Sequence, residues 1–271
     1  MAGVSSESLA AAQAELEPKL ATADLSLAED LFGILGTLDG NAGLRRALTD
    51  PTRDGKEKAA LVSRLVGGKV SALAESTAAD LAASRWRSAR DIGDALEILA
   101  ATAAVSYAER QGNGPEGLEA LEGELLQFTQ VVGSSHELQR ALDEPQAGAE
   151  AKTALALKLV PHASDAAKTL IRQAVAAPRG LKPGALVQRF LELVAKRQQR
   201  WIANVSVTRP LTGEQVARLQ SGLNRLYGRD LKINVTVDPT LVGGIRVEVG
   251  DEVVDASAAT RLSELRRRLA G

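Results

Sequence analysis

The sequence predicts a mainly α-helical protein, with two tandem helical bundles followed by a small C-terminal α/β domain. Three observations carry this. Ala and Leu dominate a chain of 271 residues in which aromatic residues make up 3%. Such side chains lose little entropy in a helix, and the small ones let helix axes approach closely. The chain also aligns on itself without a gap when shifted by 94 residues, and near residue 200 its hydrophobic period changes from 3.6 to 2.

The repeat places 27–101 on 121–195. Leu44, Arg46, Ala47, Leu48 and Pro51 fall on Leu138, Arg140, Ala141, Leu142 and Pro145. Lys58, Leu61, Leu65 and Val66 fall on Lys152, Leu155, Leu159 and Val160. Chance matches are common in Ala/Leu-rich chains, but an unbroken register with a shared L-x-R-A-L-x-x-P phrase marks two copies of one module. In the first copy, Leu27, Leu31, Ile34, Leu35 and Leu38 form a helical stripe. Asp39-Gly40-Asn41 interrupts it, and Pro51 ends a short helix carrying Leu44 and Leu48. A helix over 56–66 stops at Gly67-Gly68, and helices over 71–86 and 91–101 complete the module. From Asp94 to Gln111 there is no Pro or Gly, so one helix of about 27 Å is expected to join the copies as a strut.

Copy two ends in an amphipathic helix over 184–200 that buries Leu186, Phe190, Leu193 and Val194. Strand alternation then appears at Trp201–Thr208, Leu231–Val237 and Ile245–Val249. Pro210-Leu211-Thr212 opens a helix running to Tyr227, with Thr212 as its N-cap and Gly228 as its stop. Gly250-Asp251 suits a two-residue hairpin turn, and Ser257 can cap a final basic helix. The expected domains are 1–104, 105–200 and 201–271.

Composition excludes several function classes. With no Cys there is no disulfide framework, thiolate metal site or cysteine nucleophile. His136 and His162 are the only histidines and fall in expected loops or caps. Net charge of −1 argues against a general nucleic-acid binder. The start lacks a secretory pattern and no run is long enough to span a bilayer, so a cytoplasmic protein is expected. Charge is uneven: residues 1–40 are acidic and 179–200 basic, either as solvated faces or as docking faces for different partners.

Several motifs read as decoys. Gly112-Asn113-Gly114-Pro115-Glu116-Gly117 fits G-x-G-x-x-G, but a helix precedes it and Pro115 sits inside it, so an interhelical turn is expected. Gly67-Gly68-Lys69-Val70 lacks the Ser/Thr and the first Gly of a phosphate loop. Trp86 and Trp201 each end a helical module and suit core-edge packing. No catalytic constellation, cofactor site or metal site is visible.

The C-terminal residues are specific. Val237-Asp238-Pro239-Thr240-Leu241-Val242-Gly243-Gly244-Ile245 is followed by Val249-Gly250-Asp251-Glu252-Val253-Val254-Asp255-Ala256-Ser257, then by Arg261-Leu262 and Leu265. This resembles the delta subunit of F-type ATP synthases, the bacterial relative of the oligomycin-sensitivity-conferring protein. Asp238, Leu241, Gly243, Gly244, Gly250, Asp251, Asp255, Ser257, Arg261 and Leu262 carry the signature, and Pro210-Leu211-Thr212 with Gln215 matches the family's helix start. Ala256 departs from the family's usual Gly and puts that turn in question.

Residues 104–271 resemble an ordinary delta subunit, and 1–103 an additional copy of its N-terminal bundle. The resemblance implies a non-catalytic stator in the peripheral stalk of a proton-translocating synthase, on the cytoplasmic side of the cell membrane, without a cofactor. Its implied partners are the N-terminal helices of the head's alpha subunits and the stalk's b subunit, with one copy per complex. Candidate contacts are Val105, Tyr107 and Ala108, where the family opens its first helix, and Arg266, Arg267 and Arg268. The three arginines alternatively serve only the C-terminal helix dipole. Copy two is the favoured site for the alpha helix. A free-standing adaptor for amphipathic helices is the competing reading.

Overall fold

The computed structural model describes residues 3–241 and 244–255. Residues up to Val194 form one compact unit and those from Ala195 a second.

In the helical unit, copy one contains α1 (Val4–Leu16), a 3₁₀ turn at Glu17–Ala21, α2 (Ser26–Asp39), α3 (Ala42–Thr49), α4 (Gly55–Val66) and α5 (Ala72–Ala83). α6 (Asp91–Gln111) follows, then α7 (Pro115–Gly133), α8 (His136–Asp143), α9 (Ala149–Leu159), α10 (Asp165–Ala176) and α11 (Pro183–Gln198). The start signals are local. Asn41, Asp54, Ser71, Ser135 and Ser164 each accept a backbone N–H from the first turn they precede. α2 turns Leu27, Leu31, Ile34, Leu35 and Leu38 inward, and Gly40 follows its end. The helix expected over 71–86 ends at Ala83 instead. There Trp86 folds back, 8% exposed, and its indole N–H donates to the Leu81 carbonyl at 2.7 Å.

The duplication is visible in the element boundaries. α3 at 42–49 and α8 at 136–143 lie 94 residues apart, and α4/α9 and α5/α10 keep that spacing to within a residue. A carboxylate repeats as well. Asp30 accepts the Ser71 N–H at 2.8 Å, and Glu124, 94 positions on, accepts the Ser164 N–H at 2.8 Å. The structure extends the repeat further back than the sequence alignment did, since α1 shifted by 94 is 98–110, inside α6.

α6 therefore closes copy one and opens copy two, and the expected boundary at 104/105 falls within it. It does not hold the copies apart. Fourteen of its residues are buried, from Ile92 to Glu109, and α1, α2, α5, α7 and α10 all pack on it. A helix buried on most sides is a core helix. α10 also packs on α2, and the Phe32 and Phe190 rings of the two copies lie 6.4 Å apart, tilted by 57°.

The second unit contains β1 (Ile202–Val207), α12 (Gly213–Tyr227), β2 (Lys232–Val237), β3 (Ile245–Val249) and β4 (Glu252–Asp255), in sheet order β2-β1-β3-β4. β1 and β2 run parallel with α12 between them, and the remaining pairs are antiparallel. Thr212 and Gln215 form a reciprocal capping box, and Gly228 ends α12 at φ 65°. Ala203, Val205, Val207, Leu223, Leu231, Val247 and Val249 make the core. The pairing of Val249 with Glu252 leaves Gly250-Asp251 as a two-residue turn, and Gly250 has φ 60° as such a turn requires.

Candidate functional site

The signature residues that the structure describes build the exit from β2 and the β3–β4 hairpin. Asp238 ends β2 with its N–H on the Val207 carbonyl at 2.8 Å. Its carboxylate accepts from the Thr240 hydroxyl at 2.6 Å and the Thr240 N–H at 2.9 Å, which together hold it below the usual carboxylate range. Leu241 closes the turn through its N–H to the Asp238 carbonyl, and Gly244 follows at φ 88°. A Cβ on Gly250 would stand 3.2 Å from the Arg200 side chain, and Asp251 pairs with Lys196 at 3.1 Å. Asp255 pairs with Arg246 in the sheet register. Gly243, Ser257, Arg261, Leu262 and the arginines Arg266, Arg267 and Arg268 lie outside the described residues, as do Ala256 and the expected last helix.

The signature thus shapes backbone and leaves apolar surface beside it. By register, Val235, Val237 and Val254 share the face of Val205, Val207 and Val247, yet each is more than a third exposed. Leu226, at the end of α12, is 70% exposed. Apolar side chains exposed together on one sheet face amount to more than singly scattered surface hydrophobics.

In the helical unit the three expected contacts part company. Val105 and Ala108 are buried, packed within the core that α6 forms with its neighbours. Tyr107 is half-buried, with the Arg110 guanidinium 5.9 Å over its ring. Copy one is the physical reason. α1 and the 3₁₀ turn pack on α6, and Arg110 donates to the Ala21 carbonyl at 3.1 Å and also to that of Ala23. The α1 positions 94 residues earlier are Ala11, Gln13 and Ala14, of which Ala11 and Ala14 are exposed.

The strongest polar site joins the copies, and sequence reasoning missed it. Arg179, just after α10, is held at φ 52°, and its side chain is 9% exposed. It reaches Asp39 and Asp94 at 2.7 Å each and Glu97 at 3.7 Å, all in copy one. Gly93 makes the room, because a Cβ there would lie 2.4 Å from the Arg179 guanidinium. Glu97 is buried, and its Oε1 has no hydrogen-bond partner among the described residues. Burial raises its pKa above the ordinary carboxylate value, against the pull of Arg179. A signal did exist: Arg85 and Arg179 match in the repeat, and Arg179 precedes a Gly. Its partners are distant in sequence.

The decoys have structural roles. Gly112–Gly117 is the α6–α7 corner, where a Cβ on Gly117 would lie 2.2 Å from the Ala108 carbonyl oxygen. Lys69, after Gly67-Gly68, returns its ammonium to the Leu65 carbonyl at 3.1 Å. His136 and His162 are exposed. Trp201 is half-buried, with Arg229 over its ring at 5.6 Å. Among the described residues no group of three or more His, Cys, Asp or Glu is placed to hold a metal ion, and no helix is long and apolar enough to cross a membrane.

Comparison with known proteins agrees with the C-terminal signature. The family model for the ATP synthase delta (OSCP) subunit matches residues 100–269. ATP synthase subunit delta of Pseudarthrobacter chlorophenolicus is 66% identical, and that of Renibacterium salmoninarum 61%, each over 100% of both chains. The Streptomyces griseus subunit delta is 39% identical, also over 100% of both chains. Full-length relatives thus share the residues that precede the matched family region. The chain belongs to the ATP synthase delta (OSCP) subunit family, a non-catalytic component of the peripheral stalk of F-type ATP synthases.

Proposed function

We propose that the chain couples two partners within the synthase: the helical unit takes an amphipathic N-terminal helix of the head's alpha subunit, and the C-terminal unit holds the b subunit of the stalk. It would work on the cytoplasmic side of the cell membrane, one copy per complex, peripheral through its partners. Resisting the torque of proton-driven rotation calls for packed apolar contact on well-ordered surfaces and for no chemistry of its own.

The observation that carries the alpha contact is the pseudo-equivalence of α1 with 98–110. Copy two was the expected site, but Val105 and Ala108 are buried there. Copy one presents the corresponding α1 face, with Ala10, Ala11 and Ala14 exposed beside α5. Small side chains on that face allow a partner helix to approach to about 8–10 Å between axes. For the b subunit, the exposed Val235, Val237 and Val254 supply the apolar surface.

The test is titration of the full chain with a synthetic alpha N-terminal peptide. Ala11→Arg with Ala14→Glu should weaken binding at least about tenfold, and Leu126→Arg on α7 of copy two should leave it unchanged. The reverse pattern would return the contact to copy two. In parallel, Val235→Lys with Val237→Lys should abolish co-purification with b; retention of b would remove the sheet face from the interface.

A further inference from the structure

The α3–α4 turn, the first turn of α4, the end of α5, the connection 84–90 and the start of α1 enclose an open cleft of about 800 Å³. Arg53, Lys58, Arg85 and Arg87 line it. Among its described lining residues Asp54 brings the one carboxylate, and that group is engaged as the N-cap of α4, accepting the Lys56 N–H at 2.7 Å. Neighbouring Asp50 is turned onto the N–H and hydroxyl of Thr52, at 2.9 and 2.7 Å.

One of the four cations is held in place by the fold. The three arginines are exposed, but Lys58 is 4% exposed, and its ammonium donates to the Ser84 carbonyl at 3.1 Å. An ammonium carries three protons, and burial disfavours its charged form. Ser5, fully buried at the start of α1, pins the connection, accepting from the Arg87 N–H at 2.9 Å and donating to Asp91 at 2.6 Å.

Copy two does not keep this set. The shift of 94 places Ala147 at Arg53 and Leu181 at Arg87. Lys58 and Arg85 fall on Lys152 and Arg179, and Arg179 is committed to Asp39, Asp94 and Glu97. The shared fold therefore does not need the four cations together. A solvated helix face would be convex and would not bury one of its charges. A concave site of this volume lies within the roughly 300–1,000 Å³ of small-molecule sites, and guanidinium with ammonium groups matches phosphate oxygens by charge-assisted hydrogen bonds.

We propose that this cleft of copy one binds a phosphate-bearing anion of pyrophosphate size or larger, separately from the subunit contacts. Isothermal titration of the full chain with sodium pyrophosphate at constant ionic strength should show saturable one-to-one binding. Arg53→Gln and Arg87→Gln, both at exposed positions, should each weaken it about tenfold, with the circular dichroism of the chain unchanged. No saturation by about 10 mM, or equal binding by the double variant, would overturn the assignment. Hexaglutamate is the competing probe. If it binds more tightly than pyrophosphate and loses affinity in the double variant, the cleft is a docking site for an acidic protein segment and the phosphate assignment fails.

Discussion

Removing the Arg179 side chain should loosen the helical unit more than any surface charge would. Its guanidinium sits between three carboxylates of the other copy, with its side chain 9% exposed and that of Glu97 6% exposed. Breaking a buried ion pair costs about 3–5 kcal/mol because the remaining charge is left uncompensated. Two of the three partners are partly relieved: Asp39 keeps Arg45 at 3.8 Å, Asp94 keeps Arg90 at 3.7 Å, and their side chains are 30% and 24% exposed. The stranded charge is Glu97, so Arg179→Ala should cost about 3 kcal/mol near neutral pH. The sign of its pH dependence follows from Glu97. Its folded pKa is raised above the ordinary 4.5, so the stability it contributes is full below that value and is lost as pH rises through the folded pKa. Taking Arg179 away raises that pKa further, so the deficit of the variant should shrink on acidification. The assay is urea unfolding followed by Trp86 fluorescence in a Trp201→Phe background, which reports the helical unit alone. A loss below about 1 kcal/mol, or one equally large at acid and neutral pH, would refute the reasoning. Glu97→Gln should restore a substantial part of the loss in the Arg179→Ala background.

Three other perturbations are sharp. Gly117→Ala places a Cβ 2.2 Å from the Ala108 carbonyl oxygen and should force the α6–α7 corner apart, costing about 3 kcal/mol by the same assay. Thr212→Ala removes the capping box of α12 and should cost about 1 kcal/mol, seen in Trp201 fluorescence in a Trp86→Phe background. Ile34→Phe borrows the residue that copy two carries at Phe128. Ile34 lines an apolar hollow of about 20 Å³ with Leu48, Val62 and Leu96, so filling it should stabilise by about 0.5–1 kcal/mol, and a loss would show the hollow cannot admit a ring.

Much of the architecture was legible because it is local. The stripe from Leu27 to Leu38, the stop at Gly67 and the Thr212 cap are settled by residues a few positions apart, and the structure places each element there. The repeat was legible because shared packing keeps Leu48 and Leu142 buried in the same helix of each copy. What the sequence could not show was how the copies meet. The expected strut came from an uninterrupted run in α6, a property of one helix. Burial on most sides of that helix depends on α1, α2 and α10, which arrive from far along the chain. Val105 and Ala108 were assigned to a partner surface for the same reason, since in a chain beginning near residue 100 no α1 would pack on that helix.

The shared helix changes where stiffness comes from. Two bodies on a strut could rock independently about its ends, and bending would be resisted only by the helix itself. Here α6 is the last helix of one copy and the first of the next, and Arg179 ties the loop after α10 to both α2 and α6. Rocking one copy against the other would have to break the Arg179 pairs and the Phe32–Phe190 contact while exposing the sides of α6. A cut near residue 100 would leave the second copy with half of its core helix unsupported, so removal of the first copy cannot isolate its role in binding. Point changes on the α1 face, with Arg179 intact, separate docking from folding. If Ala11→Arg with Ala14→Glu weakened the alpha peptide and also lowered unfolding stability by as much as Arg179→Ala, the α1 face would be part of the core and the docking assignment would fall.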